Sequence, residues 1–115
     1  MKLLIVEDNA PMREVMKRMV GDLADQISEC SDGDEVVAAY AAEQPDWVLM
    51  DIEMKRMNGI AATRQLLAAF PEARVLIVTN YSDQPLRDAA HQAGACGYVL
   101  KENLIEVRRL LQASL

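Results

Sequence analysis

The sequence predicts an α/β fold, a doubly wound five-stranded parallel sheet, and three observations carry that expectation. Apolar runs too short for helices recur along the chain, segments with helical spacing separate them, and Gly and Pro mark the joins. Parallel strands joined by right-handed helical crossovers are the usual way to close such an alternation around a core.

Residues 3–6 form the first apolar run and read as a strand. Met12, Val15, Met16, Met19, Val20 and Leu23 follow at the spacing of one helix face, so the first helix should pack that stripe on the sheet. A weaker run over 26–30, mixed in polarity, suits an edge strand. Val36, Val37 and Tyr40 mark the second helix, and residues 47–50 the third strand. Residues 60–70 form the third helix, 75–78 the fourth strand, 86–93 the fourth helix, 98–100 the fifth strand and 104–111 the fifth helix. Gly33, Pro45, Gly59, Pro71 and Gly94 end or separate these elements.

A length of 115 residues fits one domain over 1–115 without a linker, large enough to hold a core without staples. With 51% apolar and 26% charged residues, the composition excludes disordered and membrane classes. A net charge of −6 and scattered Lys and Arg argue against direct nucleic-acid binding by this segment. Cys30 and Cys96 lack CxxC spacing and companion ligands, and read as reduced core thiols. The opening apolar run is too short for a signal peptide and no stretch can span a bilayer, so the expected location is cytoplasmic, away from membranes.

Ligands of open parallel sheets gather outside the carboxyl ends of the strands, so the residues that end each run matter most. These are Glu7-Asp8, Asp51, Thr79 and Lys101, which should meet on one edge. Three converging carboxylates repel one another unless a cation sits among them, and oxygen donors favour a hard divalent ion, Mg2+. A carboxylate so placed can attack phosphorus to form an acyl phosphate, with a lysine and a hydroxyl stabilising the phosphoryl oxygens. Taken singly, Asp8 reads as a helix N-cap, Asp51 as a turn residue, Thr79 as a β-branched strand residue and Lys101 as a solvated charge. Their joint placement outweighs those readings. His91 and Arg108-Arg109 read as solvated helix surface.

Leu4-Ile5-Val6-Glu7-Asp8, Val48-Leu49-Met50-Asp51-Ile52-Glu53-Met54, Val78-Thr79 and Gly94-Ala95-Cys96-Gly97-Tyr98-Val99-Leu100-Lys101 resemble, in order and spacing, the motifs of CheY-like response regulator receiver domains of two-component signalling. The resemblance covers nearly the whole chain and implies a flavodoxin-like (βα)5 fold with strand order 2-1-3-4-5. It implies Asp51 as phosphoacceptor, and Glu7, Asp8, Asp51 and the main-chain carbonyl of Glu53 as the Mg2+ site. Lys101 would contact the phosphoryl group, while Thr79 and Tyr98 would form a switch that changes the surface of the fourth helix, fifth strand and fifth helix. The implied donor is a histidine kinase or phosphotransfer protein, with self-association to a homodimer on phosphorylation. Such a chain promotes its own phosphorylation and dephosphorylation and is no turnover enzyme on outside substrates. The segment from Asn80 to Asn103 is most similar to receivers that precede a LuxR/FixJ-type helix-turn-helix domain.

The chain departs from that pattern after Asp51. The family usually shows Met-Pro-Gly-Met-Asp-Gly where this sequence has Met54-Lys55-Arg56-Met57-Asn58-Gly59, which predicts a more mobile loop; Lys55 and Arg56 add positive charge near the phosphoryl position, with simple solvation the preferred reading of both. Asn80 stands where the family often has Ala or another small residue, and Glu53 and Tyr81 flank the expected path of water to the acyl phosphate, which together predict slow self-dephosphorylation. Glu102 stands where a proline often follows the lysine, leaving a cis bond there undecided. Three other functions compete. A degenerate receiver acting as a phosphorylation-independent binding module remains open as the alternative. A haloacid-dehalogenase-like phosphatase would need its nucleophile on the first strand and a second acid. A flavin binder would need a Ser/Thr/Gly-rich phosphate loop where Asp8-Asn9-Ala10-Pro11-Met12 stands.

Overall fold

Five strands, four of them apolar, present alternating side chains to both faces of one sheet, and that alternation decides the layers. The strands are β1 (Lys2–Val6), β2 (Gln26–Cys30), β3 (Trp47–Met50), β4 (Val75–Thr79) and β5 (Gly97–Leu100), described with all 115 residues in a computed structural model. All pairings are parallel and the order is β2-β1-β3-β4-β5. β2 lies at one edge as its mixed polarity predicts, with Gln26 and Glu29 exposed.

The helices are α1 (Ala10–Val20), α2 (Val36–Glu43), α3 (Gly59–Ala69), α4 (Gln84–Gln92) and α5 (Leu104–Ala113). Leu3, Ile5, Leu49 and Val78 point to one face, against Met16 and Val20 of α1 and Val107 and Leu111 of α5. Leu4, Val6, Val48, Met50 and Ile77 point to the other, against Val36 and Tyr40 of α2, Ile60 and Leu66 of α3, and Ala90 of α4. Burial on both faces explains why the central strands read as continuous apolar runs rather than as polar alternation.

Some expectations need correction. Val15, on the predicted inner stripe of α1, is 39% exposed, whereas Met16 and Val20 of the same stripe are buried against the sheet and α5. Leu23 lies in a 3-10 turn, Gly21–Leu23, that continues α1. Cys30 is a buried thiol as expected, whereas Cys96 is exposed, since it sits in the turn before β5 rather than within the strand. Arg108 is not simply solvated. Its guanidinium makes paired bonds of 2.5 and 2.6 Å to Asp22 and a third to the Met19 carbonyl, tying α5 to the end of α1. No helix is long and apolar enough to cross a membrane.

Candidate functional site

The parallel register sets Val6 beside Met50, Met50 beside Ile77 and Thr79 beside Leu100, so the strand ends lie level. Glu7, Asp51 and Lys101, each the residue after its strand, therefore emerge on one edge with Asp8. They line a cleft of about 650 Å³. Asp8 is free to join them because Asn9 caps α1, its side chain accepting the Met12 N–H at 2.8 Å. The bland reading of Asp8 as that cap is thus overturned.

Carboxylate oxygens of Glu7, Asp8 and Asp51 lie within 4.8 Å of one another. Glu7 is fully buried, Asp51 is 5% exposed, and Asp8 stands at the solvent rim. Lys101 Nζ lies 2.6 Å from Glu7 Oε1 and 3.3 Å from Asp51 Oδ1. Although the first distance is short, its direction is poor, and neither Glu7 oxygen receives a well-aligned hydrogen bond. Burial, then the neighbouring Asp51, raise the Glu7 carboxyl above its usual range against the opposing pull of Lys101. Burial and Glu7 likewise raise Asp8. Burial alone would lower the Lys101 ammonium, but Glu7 and Asp51 outweigh it and the net shift is upward. One ammonium shared among three carboxylates leaves the cluster short of positive charge. A buried carboxylate without a well-aligned hydrogen bond, set among hard oxygen donors, is an environment a Mg2+ ion would satisfy, so these residues fit that ion.

Asp51 is held tightly. Its N–H donates to the Val6 carbonyl at 2.9 Å, and its Oδ1 accepts the Ile52 N–H at 2.9 Å. Oδ2 receives no protein N–H. Gly59, at the start of α3, packs so closely that a Cβ there would stand 1.8 Å from the Asp51 carbonyl oxygen, so no other residue fits without moving the Asp51 backbone. The Lys101–Glu102 bond is trans, like every peptide in the chain.

Thr79 and Tyr98 are brought together, but through an intermediary. Thr79 is fully buried and its Oγ1 accepts the Tyr81 N–H at 3.2 Å. The Tyr98 hydroxyl donates to the Tyr81 carbonyl at 2.6 Å, with the Arg87 guanidinium 4.6 Å above its ring. The Tyr81 hydroxyl in turn donates to the Glu53 carboxylate across the mouth of the cleft. Tyr81 thus joins Thr79, Tyr98 and Glu53, a junction that no sequence spacing announces because two of its three bonds use backbone atoms. The Glu53 main-chain carbonyl accepts no protein hydrogen bond.

The loop after Asp51 is tied to the turn after β2 by backbone and side-chain bonds. The N–H groups of Arg56 and Met57 donate to the Asp32 carboxylate, each at 2.9 Å. The Arg56 side chain turns away from the cleft, donating to Asp34 at 2.7 and 3.0 Å and to Glu35 at 3.0 Å. Lys55 is exposed and makes no ion pair. Burial raises the Asp32 carboxyl, but the three backbone N–H groups it accepts hold it below its usual range. Sequence reasoning missed Asp32, Asp34 and Glu35. Their partners lie more than twenty residues away, and only charge complementarity with Lys55-Arg56 hinted at the pairing.

The chain matches the family model described as response regulator receiver domain over residues 3–113. The transcriptional regulatory protein DegU of Brevibacillus brevis is 32% identical over 88% of this chain and 44% of its own length. The chemotaxis protein CheY of Thermotoga maritima is 33% identical over 87% of this chain and 84% of its own. Among solved structures, a two-component response regulator of the LuxR family from Aurantimonas sp. SI85-9A1 superposes with a TM-score of 0.85 at 28% identity, covering 97% of this chain and 85% of that one. The chain spans about half the length of several of the curated relatives it matches.

Proposed function

Because the chain belongs to the response regulator receiver family, we propose that residues 1–115 form one receiver domain that accepts a phosphoryl group on Asp51 from a histidine kinase or phosphotransfer protein. The observation that carries this reading is the meeting of Asp51 with Glu7, Asp8 and Lys101 on one sheet edge, with Glu7 fully buried.

The residues divide the work as follows. Asp51 Oδ2, the oxygen without a protein N–H, attacks phosphorus as the P–N bond of the donor phosphohistidine breaks and the imidazole leaves. Lys101 moves its ammonium from the carboxylates to a phosphoryl oxygen. Thr79 gives up the Tyr81 N–H and donates its hydroxyl to another. Glu7, Asp8, Asp51 and the Glu53 carbonyl would hold Mg2+, which when bound neutralises the converging negative charge. Since Tyr81 is bonded to both Thr79 and Tyr98, movement of the threonine releases or tightens Tyr98 and alters the surface of α4, β5 and α5. That change would control an output domain or partner, including a second copy of the chain, in the cytoplasm.

The test is incubation with Mg2+ and a small acyl phosphate, read by intact mass. A phosphoryl adduct on the parent and none on Asp51→Ala is expected. No adduct on either would replace this reading with the phosphorylation-independent binding module.

A further inference from the structure

The main-chain carbonyl of Glu53 can serve a metal only if its peptide is correctly aimed, and Mg2+ tolerates little departure from octahedral geometry. Glu53, Met54 and Lys55 are all that separates two fixed points. On one side the Ile52 carbonyl accepts the Gly59 N–H at 2.8 Å, closing the base of the loop. On the other, Asp32 Oδ2 accepts the Arg56 N–H and Oδ1 the Met57 N–H, each at 2.9 Å. Asp32 is 2% exposed and lies in the turn after β2, an element that supplies nothing to the cleft. Next to it the two loops touch, for a Cβ on Gly33 would stand 2.4 Å from the Met57 carbonyl oxygen.

A buried carboxylate is costly to desolvate unless its hydrogen bonds are filled, and here the two shorter ones come from backbone amides of the loop that follows the phosphoacceptor, with Asp34 N–H of its own turn as the third. Arg56 adds an outer clasp on Asp34 and Glu35. A three-residue span held at both ends has little freedom to turn the Glu53 peptide. We propose that Asp32 is a positioning residue that presets the loop carrying the Glu53 carbonyl, and so sets how tightly the acidic cleft holds Mg2+. This rests on the metal-dependent receiver reading above.

Asp32→Asn keeps the shape but turns one accepting oxygen into an NH2 that faces a backbone N–H, releasing one of the two loop amides. Partners that orient ligands commonly change metal affinity by about ten- to a hundredfold, and a loss of at least about tenfold is expected here by calorimetric Mg2+ titration. The titration is made at high ionic strength, where the lost charge acting through solvent is screened. At saturating Mg2+ the variant should recover the parent's rate of adduct formation, separating positioning from chemistry. A second measurement needs no variant: in the metal-free parent, the Arg56 and Met57 amides should already be protected from hydrogen exchange and stay so when Mg2+ is added. Unchanged Mg2+ affinity in Asp32→Asn, or amides that become protected only with metal, would overturn the positioning role alone. A parent that binds no Mg2+ would overturn the metal-dependent reading together with it.

Discussion

Replacing Lys101 with methionine keeps the aliphatic stem and removes the only ammonium among the buried carboxylates. At separations of 2.6 and 3.3 Å, the gross attractions to Glu7 and Asp51 are about 6 and 5 kcal/mol at an effective dielectric near 20. Most of that is offset by the desolvation of the three groups. Removing one member of a buried ion cluster costs about 3–5 kcal/mol, because the remaining charges are left unpaired. Glu7 can escape by binding a proton, which holds the expected loss for Lys101→Met near the lower figure, about 3 kcal/mol at pH 7 without metal. The sign with pH follows from the raised Glu7 carboxyl. A carboxyl raised above its unfolded value of 4.5 favours the fold below that value, and the contribution is lost as pH rises through the folded value. Without Lys101 that folded value rises further, so the gap between variant and parent is widest near neutrality and narrows towards pH 4.5. Mg2+ at a hundredfold over its Kd should return about 2.7 kcal/mol to a chain that binds it only when folded. Urea unfolding followed by circular dichroism, with chelator and then with Mg2+, measures each quantity. A loss below about 1 kcal/mol at pH 7, against the 3–5 kcal/mol of a broken buried cluster, or a gap that widens as pH falls, would show that Lys101 does not hold a buried ion cluster together.

Two further outcomes follow from the same geometry. Tyr81→Phe removes the hydroxyl that spans the cleft to Glu53, so the phosphorylated form should decay several-fold faster in an intact-mass time course; an unchanged lifetime would remove Tyr81 from the control of water access. Burial pushes the Cys30 thiol up to about 11, whereas Cys96 is exposed, so iodoacetamide at neutral pH should label Cys96 in the native chain and reach Cys30 only after unfolding; equal labelling of both would show that Cys30 is not enclosed as described.

The sheet, and the edge on which the chemistry gathers, are legible in the amino-acid pattern alone. Leu3 to Val6, Trp47 to Met50 and Val75 to Val78 are apolar on consecutive positions because both faces of each strand are covered, and such runs announce parallel central strands without a structure. Glu7, Asp51 and Lys101 were legible for a related reason: each directly follows an apolar run, with Asp8 next to Glu7, and level strand ends convert that position into proximity. Contacts made across the fold were decided only by the tertiary structure. Val15 lies on the apolar stripe of α1 yet stays exposed, while Met16 and Val20 of the same stripe are buried. Arg56 carries the same charge whether it faces the cleft or Asp34, and only the approach of the turn after β2 settles which. Asp32 and Tyr81 act through backbone N–H and C=O groups, which every residue possesses, so side-chain patterns along the sequence cannot reveal such bonds before the loops are placed side by side.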